Sequence, residues 1–153
     1  MLRRVISGGQ TGVDRAALDA ALVAGLELGG SCPAGRRSEA GPIPARYPLK
    51  ELPTTDYLSR THQNVDDGDA TLVLTFGIAQ GGTEATIQYA CSVNKPHHLV
   101  DMNVHPSAET VVRWIRSSGI RVLNVAGPRG SKEPRVYPES LAFLRTVFHL
   151  ISR

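Results

Sequence analysis

Ala70-Thr71-Leu72-Val73-Leu74-Thr75-Phe76 is an almost continuous apolar run, and no other segment limits the possible folds as much. A short run without polar alternation reads as a strand buried on both faces, the condition of a central strand in a parallel sheet. Parallel neighbours need crossover connections, and the flanking sequence supplies them. Further strands are expected near Arg3 to Ser7, Glu27 to Ser31, His97 to Asp101 and Arg121 to Val125. Helical patterns fill the intervals at Asp14 to Ala24, Tyr57 to Asp66, Thr83 to Val93, Pro106 to Ser118 and Pro138 to Ile151. In the last of these, Leu141, Leu144, Phe148 and Ile151 recur at three- and four-residue spacing, a core-facing stripe. This alternation predicts an α/β fold, a Rossmann-like three-layer α/β/α sandwich with a mainly parallel central sheet.

At 153 residues the chain suits one domain, spanning 1–153, with a single core. No apolar run is long enough to span a membrane, and Met1 to Ser7 has too short an apolar segment for a signal peptide, so a cytoplasmic location is expected. The net charge of +3 comes from scattered lysines and arginines with no interleaved aromatics. That argues against a nucleic-acid surface and for a small anionic ligand. Cys32 and Cys91 have neither zinc-finger nor redox spacing, so both are expected reduced and no structural metal is expected. His97 and His98, adjacent on one strand, face opposite sides and cannot chelate one ion together.

In an open parallel sheet, ligands bind beyond the carboxyl ends of the strands. Four loops at that edge are rich in glycine or polar residues: 7–14, 32–39, 77–84 and 126–131. In the first, Gly8, Gly9 and Gly12 surround Gln10 and Thr11 and lead into a helix, the composition of an oxyanion cradle built from bare backbone and free amides. Its spacing matches neither the dinucleotide fingerprint nor the P-loop. Gly81-Gly82-Thr83 repeats the arrangement, with Thr83 either capping the helix or touching a ligand. Asp14, in a first helical turn, is either a dipole-stabilised structural residue or a reader of an N–H or hydroxyl. Arg36, Arg37, Arg60 and Arg129 are candidate anion clamps, with Arg36 and Arg129 favoured by their turn-like settings at the sheet edge. Cys32 ends a strand at the same edge without a partner base. The stretch from Cys32 to Thr54 carries five prolines and the apolar residues Ile43, Tyr47 and Leu49. It reads as an ordered lid.

The chain resembles the putative molybdenum carrier family, the circularly permuted YpsA-like members of the SLOG superfamily. The resemblance rests on Ser7-Gly8-Gly9-Gln10-Thr11-Gly12 with Asp14, on Cys32-Pro33 with Gly35-Arg36 and Glu39, and on Ile43-Pro44 with Tyr47-Pro48-Leu49. Tyr57, Arg60-Thr61, Asn64-Val65, Asp69, Gly81-Gly82-Thr83, Lys95-Pro96 and Leu123 to Arg129 follow in matching order. The family pattern is interrupted at Gly30-Ser31, Ala40 and Gly130. What the resemblance implies is a Rossmann-like homo-oligomer that binds molybdenum cofactor, a pterin phosphate with a dithiolene-held metal. Molybdoenzymes or cofactor-synthesis proteins would then be its partners. The expected function is therefore a carrier for that cofactor or a related phosphorylated ligand, held by Gly8, Gly9, Gln10, Thr11, Gly12, Asp14, Arg36, Gly81, Gly82, Thr83 and Arg129. No catalytic constellation is recognisable. The alternatives are a nucleoside-phosphate glycosidic hydrolase using Glu84 and Arg60, the type found elsewhere in the superfamily, and a nucleotide sensor.

Overall fold

The computed structural model describes residues 1–131 and 133–153. Its strands are β1 (Arg4–Ile6), β2 (Glu27–Gly29), β3 (Ser31–Cys32), β4 (Lys50–Glu51), β5 (Ala70–Thr75), β6 (His97–Asp101) and β7 (Val122–Ala126). The helices are α1 (Val13–Val23), α2 (Tyr57–Asp67), α3 (Gly81–Ser92), α4 (Ala108–Ser117) and α5 (Val136–Ile151). Five parallel strands form the main sheet in the order β2-β1-β7-β5-β6. Every residue of β5 is buried, with β7 and β6 hydrogen-bonded on its two sides. The apolar run is an interior strand, as its burial on both faces requires, but it lies one place off centre: β7 is the middle strand and β6 the edge beside β5.

Helix α1 packs on α5, and α5 on α4. The inner face of α1 is Ala16, Ala17, Ala20 and Ala21, all buried. Side chains this small let the helix approach its neighbours closely, and the volume is filled by Phe148, Leu144, Ile115, Leu72, Leu74 and Leu123. Burying each of these larger groups stabilises the fold by about 1.5–3 kcal/mol. Helix α2 packs on α3, and the sandwich is completed around the sheet.

The expected strand from Glu27 to Ser31 is broken at Gly30. Glu27–Gly29 pairs with β1, whereas Ser31–Cys32 pairs with β4 in a separate parallel ribbon. Gly30 has φ 130°, and a Cβ there would overlap the Ser7 carbonyl. The chain swings out of the main sheet at the one residue able to adopt that backbone. Asn64 of α2 then holds the departing strand, accepting from the Ser31 amide at 2.8 Å and donating to the Ser31 carbonyl at 3.0 Å. Helix starts also differ from expectation: α1 begins one residue early at Val13, and α3 two residues early at Gly81. Helix α4 begins at Ala108 because Ser107 caps it, accepting from the Thr110 amide. Helix α5 begins at Val136, with Pro138 in the first turn, where no intrahelical N–H is required.

The proline-rich stretch packs down. Ile43 and Tyr47 join Leu18 and Cys32 in a second small core, with Leu49 against it. Cys32 is thus a core residue rather than a cleft-facing one. Arg36 ties the stretch together: its guanidinium donates to the carbonyls of Ile43, Pro44, Tyr47 and Leu49. Reaching them requires a left-handed backbone at Arg36, φ 55°. Arg36→Ala is expected to cost about 2 kcal/mol, since bonds from a charged donor contribute more than neutral ones. Limited proteolysis checks this: cleavage should become fast between Arg37 and Leu49 and stay slow elsewhere, and an unchanged digestion pattern would refute it.

Candidate functional site

Strand order brings the loops after β1, β7 and β5 side by side at the carboxyl edge of the sheet. There they surround a cleft of about 810 Å³. Gln10 and Asp14 come from the first loop and α1, Arg129 and Ser131 from the loop after β7, and Gly81, Gly82 and Thr83 from the start of α3. Helix α2 adds Tyr57 and Arg60, and the segment after β3 adds Glu39.

The two glycine-rich helix starts are in different states. At α3, Gln80 is the N-cap residue but its side chain makes no capping bond. The Thr83 and Glu84 amides bond back to the Gln80 carbonyl. Those of Gly81 and Gly82 have no partner among the described residues, and nothing lies within 4 Å of a Cβ built on either glycine. These two amides stand at the positive end of a three-turn helix, where the dipole favours negative charge. At α1 the amides of Gly9, Gln10 and Val13 are already engaged. Val13 N–H donates to the Pro128 carbonyl, Gln10 N–H to the Asp14 carboxylate and Gly9 N–H to the Ser7 hydroxyl. Glycine is needed there for packing. A Cβ on Gly8 would overlap the Arg60 guanidinium, on Gly9 the Leu49 side chain, and on Gly12 the Pro128 carbonyl.

The cleft floor is polar and buried. Asp14 Oδ2 accepts from the Gln10 amide at 3.2 Å and lies 3.7 Å from Arg60 Nη1, with the two side chains 5% and 13% exposed. Burial pushes the Asp14 carboxyl above its ordinary pKa, and Arg60 only partly opposes this. Gln10 Nε2 donates to the Arg37 carbonyl, and among the described residues Gln10 Oε1 and Arg60 Nε are buried without a partner. At the mouth, the Arg129 guanidinium lies over the Tyr57 ring, 4.6 Å from its centroid, with Arg37 at 5.5 Å. Glu39 accepts from the Thr11 hydroxyl. Burial would raise this carboxyl, but hydrogen bonds from Thr11 and Ser131 and the charge of Arg129 outweigh it, so the pKa is lowered.

Of the residues singled out in the sequence, the structure gathers Gln10, Asp14, Arg60, Gly81, Gly82, Thr83 and Arg129 around one cleft. Gly8, Gly9, Thr11 and Gly12 lie behind its wall as packing residues. Arg36 is turned away, its donors directed at backbone carbonyls. Glu84 is exposed, bonds Gln88, and does not line the cleft, so it does not assemble with Arg60. Tyr57 and Glu39 are wall residues to which sequence reasoning assigned no role. Their signal was limited to membership of the motif set, since neither stands beside a glycine turn. Among the described residues no cluster of three or more His, Cys, Asp or Glu is arranged to hold a metal ion.

The model of the circularly permutated YpsA SLOG family matches residues 5–148. A solved structure from Syntrophus aciditrophicus SB, of a putative molybdenum carrier protein, is 42% identical. It aligns over 96% of this chain and 94% of its own, with a TM-score of 0.88. No curated protein matches the chain.

Proposed function

Since the chain belongs to the circularly permuted YpsA SLOG family, we propose that it is a binding protein whose ligand is the molybdenum cofactor or a closely related phosphorylated pterin. The observation that carries this reading is the open N-terminus of α3. Gly81 and Gly82 offer two unengaged amides beside a cleft large enough for a cofactor-sized molecule. Arg129, at the mouth of the same cleft, adds a guanidinium able to grip phosphate oxygens in pairs. The fit extends to the floor, where unpaired buried polar atoms suit a ligand with a hydrogen-bonding body. The cargo named for the 42% identical neighbour supports molybdenum as its metal. Gly81, Gly82, Thr83 and Arg129 would hold the phosphate, and Gln10, Asp14 and Arg60 would face the heterocycle. The metal chemistry belongs to the enzyme that finally receives the cargo. With Glu84 outside the cleft, the hydrolytic reading that pairs it with Arg60 finds no support in the geometry.

The test is calorimetry of the purified protein with a pterin phosphate, together with elemental analysis for molybdenum of protein purified from cells that make the cofactor. Saturable binding is expected, weakened about 10- to 100-fold by Arg129→Ala through loss of charge-assisted bonds. No heat with any phosphate ester, and no copurifying molybdenum, would sink the proposal.

A further inference from the structure

The buried groups on the cleft floor describe a ligand edge. Gln10 is 2% exposed, and its amide has only one sensible orientation. Nε2 donates to the Arg37 carbonyl at 2.9 Å, and the flipped amide would set two acceptors against each other. Oε1 is therefore fixed as an acceptor, and it has no partner among the described residues. Asp14 beside it, with its Oδ2 also bonded to the Gln10 amide, is a second acceptor. Arg60 Nε, buried and unpaired, is a donor on the same floor. An unmet buried donor or acceptor is costly, so the floor carries one unmet acceptor and one unmet donor, with the Asp14 carboxylate a further acceptor beside them, and a ligand of opposite pattern would satisfy this set.

We infer that Gln10, Asp14 and Arg60 read the edge of a 2-amino-4-oxopyrimidine ring, whose amino group and ring N–H donate while its carbonyl accepts. Pterins and guanine share that edge; adenine and hypoxanthine lack the 2-amino group. Charge separates the two ends of such a ligand. The Asp14 carboxylate disfavours a phosphate on the floor, and the α3 terminus with Arg129 favours one at the wall and mouth. The inference rests on the phosphate-binding reading above and adds the chemistry of the ring.

Calorimetry with a pterin phosphate, GMP, IMP and AMP tests it, because IMP differs from GMP only by the missing 2-amino group. GMP is expected to bind about 10- to 100-fold more tightly than IMP, the range set by leaving a buried acceptor unmet, and AMP, which also reverses the donor and acceptor at the other two positions of the edge, is expected to bind more weakly than IMP. The tighter of GMP and the pterin phosphate identifies which source of the ring the site prefers. Of Gln10→Met and Asp14→Asn, the variant that removes the acceptor of the 2-amino group should bring the GMP-to-IMP ratio towards one with IMP affinity little changed, and the variant that removes the acceptor of the ring N–H should weaken GMP and IMP alike. Equal binding of GMP, IMP and AMP overturns the ring assignment and leaves the phosphate site standing. A preference unchanged in both variants overturns the residue assignment, and no binding of any ester overturns both readings.

Discussion

Arg60→Met is expected to lower stability by about 3–5 kcal/mol at neutral pH, the usual cost of removing one partner of a buried ion pair. The remaining carboxylate is the source of the loss. Asp14 is almost fully buried, and burial already holds its pKa above the ordinary value with Arg60 in place. Without Arg60 the shift grows. A carboxyl whose folded pKa exceeds its unfolded one contributes stability that is complete below the unfolded value and is lost as pH rises through the folded value. The deficit of Arg60→Met relative to the parent should therefore be small near pH 4, close to the ordinary carboxylate pKa. It should widen steadily towards neutrality. Denaturant unfolding of both proteins across that range measures it, and Asp14→Asn in the Arg60→Met background should recover most of the loss. A deficit that stayed constant with pH would show that Arg60 acts through packing against Gly8 and not through its charge.

Gly12→Ala is expected to cost about 3 kcal/mol, which in a domain of this size corresponds to a fall in Tm of about 6–12 °C. Gly12 is the N-cap of α1 with φ 84°, a conformation that strains any residue with a Cβ. The added methyl would also meet the Pro128 carbonyl and lie 2.8 Å from both Arg129 C and Gly130 N. The two loops must separate, weakening the bonds from Val13 N–H to Pro128 and from Gly130 N–H to the Thr11 hydroxyl. Gly82→Ala is the contrasting case. That position lies inside a helix, has open space around it and has no unusual φ, so alanine should stabilise α3 by up to about 1 kcal/mol. Thermal unfolding of the pair distinguishes a glycine kept for packing from one standing at an open ligand wall; equal losses in both would refute the distinction.

Local rules carried most of the architecture. The apolar run at Ala70 to Phe76 could satisfy its surroundings only as an interior strand, and the alternation around it called for parallel crossovers; which interior place it took, beside the edge strand β6 with β7 in the middle, was decided by the fold. Loops at one sheet edge followed from strand polarity, so Gln10, Asp14, Gly81, Gly82, Thr83 and Arg129 were found together because direction along a strand is a sequence property. The registers and helix ends that differed did so for identifiable causes: a Gly30 backbone angle, a Ser107 cap, and a proline placed where helices tolerate one.

What residue type alone left open was the direction in which each group spends its hydrogen bonds. Ser7 to Asp14 and Gly81 to Thr83 have nearly the same composition, yet the first is closed by Pro128 and by its own Asp14, while the second opens on the cleft. Arg36 and Arg129 both sit in turn-like loops, yet one is surrounded by four carbonyls and the other lies over Tyr57 at the mouth. An amide or a guanidinium is satisfied by whichever partner the fold brings near, whether a carbonyl 7 residues on, as for Arg36 and Ile43, or a residue from another element, as for Val13 with Pro128 and Arg129 with Tyr57. The glycine-rich sequence specified two helix starts suited to anions; long-range packing left one of them free and made the other part of the wall.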